Sequence, residues 1–145
     1  MIGLIQRVSQ ASVEVEGKII GKIDAGILLL LGIEKNDTEK NADLLLEKII
    51  HFRVFEDEQQ KMNRSLLDCL GGLLIVPQFT LPADTKKGTR PSFASAAAPE
   101  LGKTMVDYFI QQSQLKIAKV ATGRFGADMQ VSLTNTGPVT FWLQK

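Results

Sequence analysis

The chain has 145 residues, 44% of them hydrophobic, with 17 basic against 16 acidic side chains and a net charge of +1. That size suits one domain, spanning 1–145, and the near-neutral balance excludes a generic nucleic-acid coat, so any RNA contact must use a local basic patch. A lone cysteine, Cys69, excludes an internal disulfide and suits a reducing compartment, with the cytoplasm as the expected location.

Residues 1–8 and 12–15 read as strands, and Glu16-Gly17 makes a hairpin turn into a third strand over 18–23. Gly26 to Ile33, GILLLLGI, is too short to cross a bilayer and reads as a buried strand; no signal peptide precedes it. Asp37 and Thr38 then offer N-cap oxygens to an amphipathic helix carrying Ala42, Leu45, Leu46 and Ile49 on one face. Residues 53–56 alternate like a strand. Gly71-Gly72 precedes LLIVPQFTL, whose apolar start suits a strand covered on both sides, and the polar, basic loop ADTKKGTRPSF follows. Pro99 opens a second helix reaching Ser113. Strands over 116–122, 129–135 and 139–143 complete the chain, punctuated by Gly123, Gly126 and the Gly137-Pro138 pair. The expected fold is α+β: an antiparallel-rich, barrel-like sheet core with two α-helices.

Several chemistries are excluded by what is missing. The only histidine, His51, falls opposite the apolar stripe of the first helix, where a solvent or rim role is expected, and no G-x-S-x-G elbow accompanies it. One His and one Cys, without H-E-x-x-H or C-x-x-C, predict no metal site. No dinucleotide or P-loop glycine pattern occurs, so no cofactor is expected. The run Glu56-Asp57-Glu58 reads as a solvated turn rather than an acid–base pair. What remains is neutral: an amide, a hydroxyl, backbone dipoles and whatever reactive group a substrate brings.

PQFTL (77–81), KGTRPSF (87–93), GRFGADM (123–129) and NTGPVT (135–140), with RVFEDEQQKMNRS (53–65) upstream, occur in one order along the whole chain. In these motifs the sequence resembles the D-aminoacyl-tRNA deacylase family, which hydrolyses the ester joining a D-amino acid to tRNA. The resemblance implies a cytoplasmic homodimer acting on the aminoacylated 3′ end of tRNA, without cofactor, metal, membrane or DNA. It implies that Gly137-Pro138 is a cis peptide in a loop reaching the active site of the partner subunit, with Arg7 fixing that loop. The substrate ester is expected against backbone N–H groups around Phe79, with Gln78 and Thr80 beside it. Phe93 and Met129 join the substrate-binding set, Met129 against the terminal adenine. Lys86, Lys87 and Arg90 are expected to meet acceptor-stem phosphates.

A physical reading accompanies the resemblance. Glycine and proline leave their carbonyl oxygens bare, so a stiff loop aims them at the substrate Cα, where an L side chain collides and a D side chain projects away. Discrimination by exclusion predicts tolerance of many D-amino acids and of glycine, including glycine misattached to alanine tRNA. With no protein base available, the 2′-OH of the terminal adenosine supplies the missing hydrogen-bonding group, and Thr80 is the only hydroxyl in its motif. One departure stands out: Pro77 replaces the family serine, as in the sibling branch that removes L-alanine from threonine tRNA. That sibling activity, and a non-catalytic dimer binding the tRNA end, are the alternative expectations.

Overall fold

A computed structural model describes residues 1–145. Its elements in order are β1 (Ile2–Val15), β2 (Lys18–Ile23), β3 (Gly26–Gly32), α1 (Glu39–Ile50), β4 (Phe55–Glu56), β5 (Met62–Arg64), α2 (Leu66–Cys69), β6 (Gly72–Pro77), α3 (Pro99–Lys116), β7 (Val120–Thr122) and β8 (Gln130–Gln144). One sheet runs β2-β1-β3-β6-β7, with β8 also paired to β1, while β4 and β5 form a separate hairpin. The α+β expectation holds, but the sheet is mixed. β3 pairs β6 and β6 pairs β7 in parallel, each pairing joined through a helical crossover, whereas all pairings of β1 are antiparallel.

The continuous apolar run of β3 is explained by two cores. Ile27, Leu29 and Leu31 enter a cluster with Leu45, Leu46 and Ile49 of α1 and Met105, Val106 and Phe109 of α3. Leu28 points the other way, into a cluster with Val13 of β1 and Leu74 and Val76 of β6. A strand covered on both faces cannot alternate.

Several boundaries differ from the sequence reading. Residues 1–8 and 12–15 form one strand, because the intervening Gln10 and Ala11 stay in register with Thr134 and Leu133. Likewise β8 continues from Gln130 to Gln144 through the Gly-Pro pair, although its pairing with β1 is interrupted there. The second long helix continues past Ser113 to Lys116, so the strand expected from 116 begins only at Val120. A third, one-turn helix, α2, went unpredicted. Ser65 caps it by accepting the Asp68 N–H at 3.3 Å, and the Asp68 carboxylate accepts the Ser65 N–H at 2.8 Å. Thr38 is the N-cap of α1, whereas buried Asp37 accepts from the Met1 ammonium at 2.5 Å and from the Glu34 N–H at 2.7 Å. His51 is exposed at the C-cap of α1, as its position opposite the stripe predicts. No helix is long and apolar enough to cross a membrane.

Candidate active site

The buried strand β6 delivers PQFTL to the protein surface. Gln78 still belongs to the ladder, its N–H donating to the Leu31 carbonyl at 2.8 Å, and the chain then turns, with the Leu81 N–H returning to the Gln78 carbonyl at 3.3 Å. This turn crosses directly over Gly32, where a Cβ would stand 2.9 Å from both Leu81 and Pro82. The two central residues of such a turn have N–H groups that the turn itself does not use. Those of Phe79 and Thr80 donate to nothing within the chain. The Gln78 amide donates to the Thr80 hydroxyl at 2.6 Å, fixing both side chains beside these free donors.

Next to the turn lies a cavity of 510 Å³, lined by Phe79, Phe93, Phe125, Met129 and Val131, with Pro77 and Pro99 at its wall. Phe79 and Phe93 stack obliquely, ring centroids 5.3 Å apart, yet remain 64% and 43% exposed. Met129 is held by its sulfur, which accepts the Arg124 N–H at 3.3 Å, and it lies so close over Gly123 that a Cβ there would be 2.7 Å from the sulfur. The structure therefore gathers Gln78, Phe79, Phe93 and Met129 around one cavity, with Thr80 adjoining through Gln78. Sequence reasoning missed Phe125, which packs over Gly102 of α3; the pairing of a small residue in one helix with an aromatic far along the chain leaves no local signal.

The basic loop is closed at its neck, where Asp84 and Ser92 exchange backbone hydrogen bonds at 2.8 and 2.9 Å. Lys86, Lys87 and Arg90 project from it, exposed and without an ion-pair partner.

Gly137 and Pro138 are elsewhere. They do not line the cavity of their own chain. Their peptide bond is cis, and Gly137 sits at φ +136°, where an added Cβ would lie 2.6 Å from the Val139 side chain and 3.2 Å from the Arg7 guanidinium. Arg7, 8% exposed, donates to the Thr136 carbonyl at 2.9 Å and to the Val54 carbonyl at 2.8 Å, and pairs with Glu56 at 3.2 Å. Glu56 thus has a structural role its place in an acidic run did not suggest. Asp57, by contrast, closes a solvated turn as expected, accepting from Lys61, Gln59 and Asn63 at 3.0, 2.8 and 2.7 Å. The Lys61 and Asn63 donors hold its carboxyl below the ordinary range.

Beyond the loop, β8 presents Leu133, Phe141 and Trp142 at 37%, 38% and 51% exposure, and of its 15 residues only Leu143 is buried. An exposed edge strand of this length that carries three large apolar side chains calls for a cover.

The family model described as D-Tyr-tRNA(Tyr) deacylase matches residues 4–144. A protein of Janthinobacterium sp. (strain Marseille) named D-aminoacyl-tRNA deacylase is 58% identical over 144 residues, covering 99% of this chain and 97% of the relative. One of the same name from Pseudomonas putida (strain W619) is 60% identical, with 99% of both chains covered. Among solved structures, one titled c-Myc DNA Unwinding Element Binding Protein superposes with a TM-score of 0.95 at 39% identity, covering 100% of this chain and 99% of that one. A second, titled as a probable eukaryotic D-amino acid tRNA deacylase, superposes at 0.87 and 17% identity, covering 99% and 98%, a likeness of fold.

Proposed function

The chain belongs to the D-Tyr-tRNA(Tyr) deacylase family and is a D-aminoacyl-tRNA deacylase, a carboxylic ester hydrolase, and from that premise we propose how its geometry performs and restricts the reaction. The observation that carries the proposal is the pair of unused N–H groups on Phe79 and Thr80 at the mouth of an apolar cavity. Two free donors side by side suit an oxygen that gains negative charge, and removing one such donor in other hydrolases costs about 10²–10³ in rate. The terminal adenine stacks into the cavity against Met129 and the phenylalanines, which places the scissile carbonyl over the turn. Water adds to the carbonyl carbon while the 2′-OH, held near Thr80, hydrogen-bonds the reacting oxygens. The bond to the ribose 3′-oxygen then breaks, and that oxygen takes the proton water gave up. Amino acid and tRNA leave, and no charged protein group attacks.

Chirality is judged by the Gly137-Pro138 loop of a second subunit. In its own chain this loop does not line the cavity, and the exposed length of β8 that carries it, with Leu133, Phe141 and Trp142 open to solvent, supports a twofold pairing that brings each loop to the other's turn. An L side chain meets the loop's bare carbonyls, whereas D substrates and glycine, including glycine on alanine tRNA, pass. Lys86, Lys87 and Arg90 receive acceptor-stem phosphates. Pro77 stands at the cavity wall, where the family serine would place a hydroxyl, and its ring makes that wall apolar. The working compartment is the cytoplasm, where charged tRNA is made.

The test is a deacylation time course on D- and L-tyrosyl-tRNA, repeated with a 2′-deoxy terminal adenosine. The D ester is cleared far faster, and the deoxy substrate loses most of that rate. Equal rates with and without the 2′-OH would move the chemistry to Thr80, and faster clearance of L-alanyl- than of D-alanyl-tRNA would favour the sibling specificity.

A further inference from the structure

We infer that Asn135 is a positioning residue that holds the Gly137-Pro138 loop in the shape from which it selects. This inference rests on the stereochemical reading above. In the pairing of β1 with β8, Gln6 stands opposite Thr140 and Val8 opposite Asn135, so residues 136 to 139 bulge out against Arg7 alone. Four residues facing one cannot keep a regular ladder, and Pro138 has no N–H to contribute. The Asn135 side chain takes the ladder's place. Its Oδ1 accepts the Val139 N–H at 2.7 Å, and its Nδ2 donates to the Val139 carbonyl at 3.3 Å and to the Thr140 hydroxyl at 2.9 Å. One planar amide therefore closes the loop at its base in both senses, donor and acceptor.

Arg7 secures the opposite limb through the Thr136 carbonyl. Each limb has its own anchor, and the two carbonyls between them keep their places only while both hold. Asparagine alone fits the task at this length: alanine supplies neither group, and aspartate supplies the acceptor without the donor.

The test reads the ratio of L- to D-tyrosyl-tRNA clearance in wild type, Asn135→Ala and Asn135→Asp, because a merely structural residue lowers both rates together. Asn135→Ala raises the L-to-D ratio about tenfold, the loss of one to two net hydrogen bonds. Asn135→Asp, which keeps the acceptor for Val139, lies between. Should Asn135→Ala fold poorly, amide hydrogen exchange of wild-type protein decides. The Val139 N–H is protected at least tenfold, and free exchange there overturns the inference. A wild type that clears both antipodes equally removes the stereochemical reading itself. A D-selective wild type whose ratio survives both substitutions removes only the role of Asn135.

Discussion

The turn at 78–81 and the loop at 136–139 stand at opposite extremes of satisfaction. In the turn, backbone donors at Phe79 and Thr80 are left unused and the flanking aromatic rings are open to solvent. In the loop, the Thr136 carbonyl and both backbone groups of Val139 are taken by Arg7 and Asn135, and Arg7 itself is buried and bonded through each of its three side-chain nitrogens. Unused donors can bind something that arrives, and occupied ones can only hold what is already there. The contrast is what the proposed function asks of a turn that receives charge and a loop that refuses a side chain.

The largest effect is expected at the turn. Phe79→Pro removes the first free donor at a turn position that proline accepts, and Phe79→Ala controls for the ring. Steady-state deacylation of D-tyrosyl-tRNA by Phe79→Pro should fall about 10²–10³-fold below Phe79→Ala. Similar rates would show that the unused N–H is idle. At the loop, Gly137→Ala forces a Cβ into a positive-φ position against Val139 and Arg7. It should cost about 1–3 kcal/mol in denaturant unfolding and raise L-tyrosyl-tRNA clearance relative to D. A gain in neither would place the loop outside the selection. Away from both regions, replacing Lys86, Lys87 and Arg90 by alanine should lower the slope of log affinity against log salt by about 2–3, measured by tRNA binding, while leaving the L-to-D ratio in place.

The smallest effect is a pH dependence. The Asp57 carboxyl lies below its ordinary value of 3.8 because it accepts from Lys61 and Asn63. A depressed folded value means that its contribution is present above 3.8 and is lost as pH falls through that value toward the lower folded one. Melting temperature followed down the acid limb should therefore drop less steeply in Asp57→Asn than in wild type, with the D-to-L ratio unaltered near neutrality.

Much of this was legible in the sequence because the signals are local. The α1 stripe, the β3 run and the Gly-bounded strands each report their own burial within a few residues. Failures arose where neighbours decide. Residues 9–11 look like a break, yet β8 stays paired with β1 across them, with a shift of register at Ser9. Ser65 and Asp68 had the capping-box spacing, but their helix is a single turn with too short a stripe to see. The parallel pairings of β6 depend on helical crossovers, which no alternation pattern records. At the site, the motifs marked PQFTL and NTGPVT, whereas Phe125 and Glu56 acquire their parts only from partners across the fold.

The central claim, that each loop serves the other subunit's turn, is tested most directly in mixed dimers of one Phe79→Pro subunit and one Gly137→Ala subunit. If the loop acts across the twofold, the intact turn of the Gly137→Ala subunit receives an intact loop from its partner. Such dimers should then show about half the wild-type activity on D-tyrosyl-tRNA with wild-type rejection of the L ester. Half activity with the relaxed L-to-D ratio of Gly137→Ala itself would contradict the account, because it would mean that every loop guards its own chain.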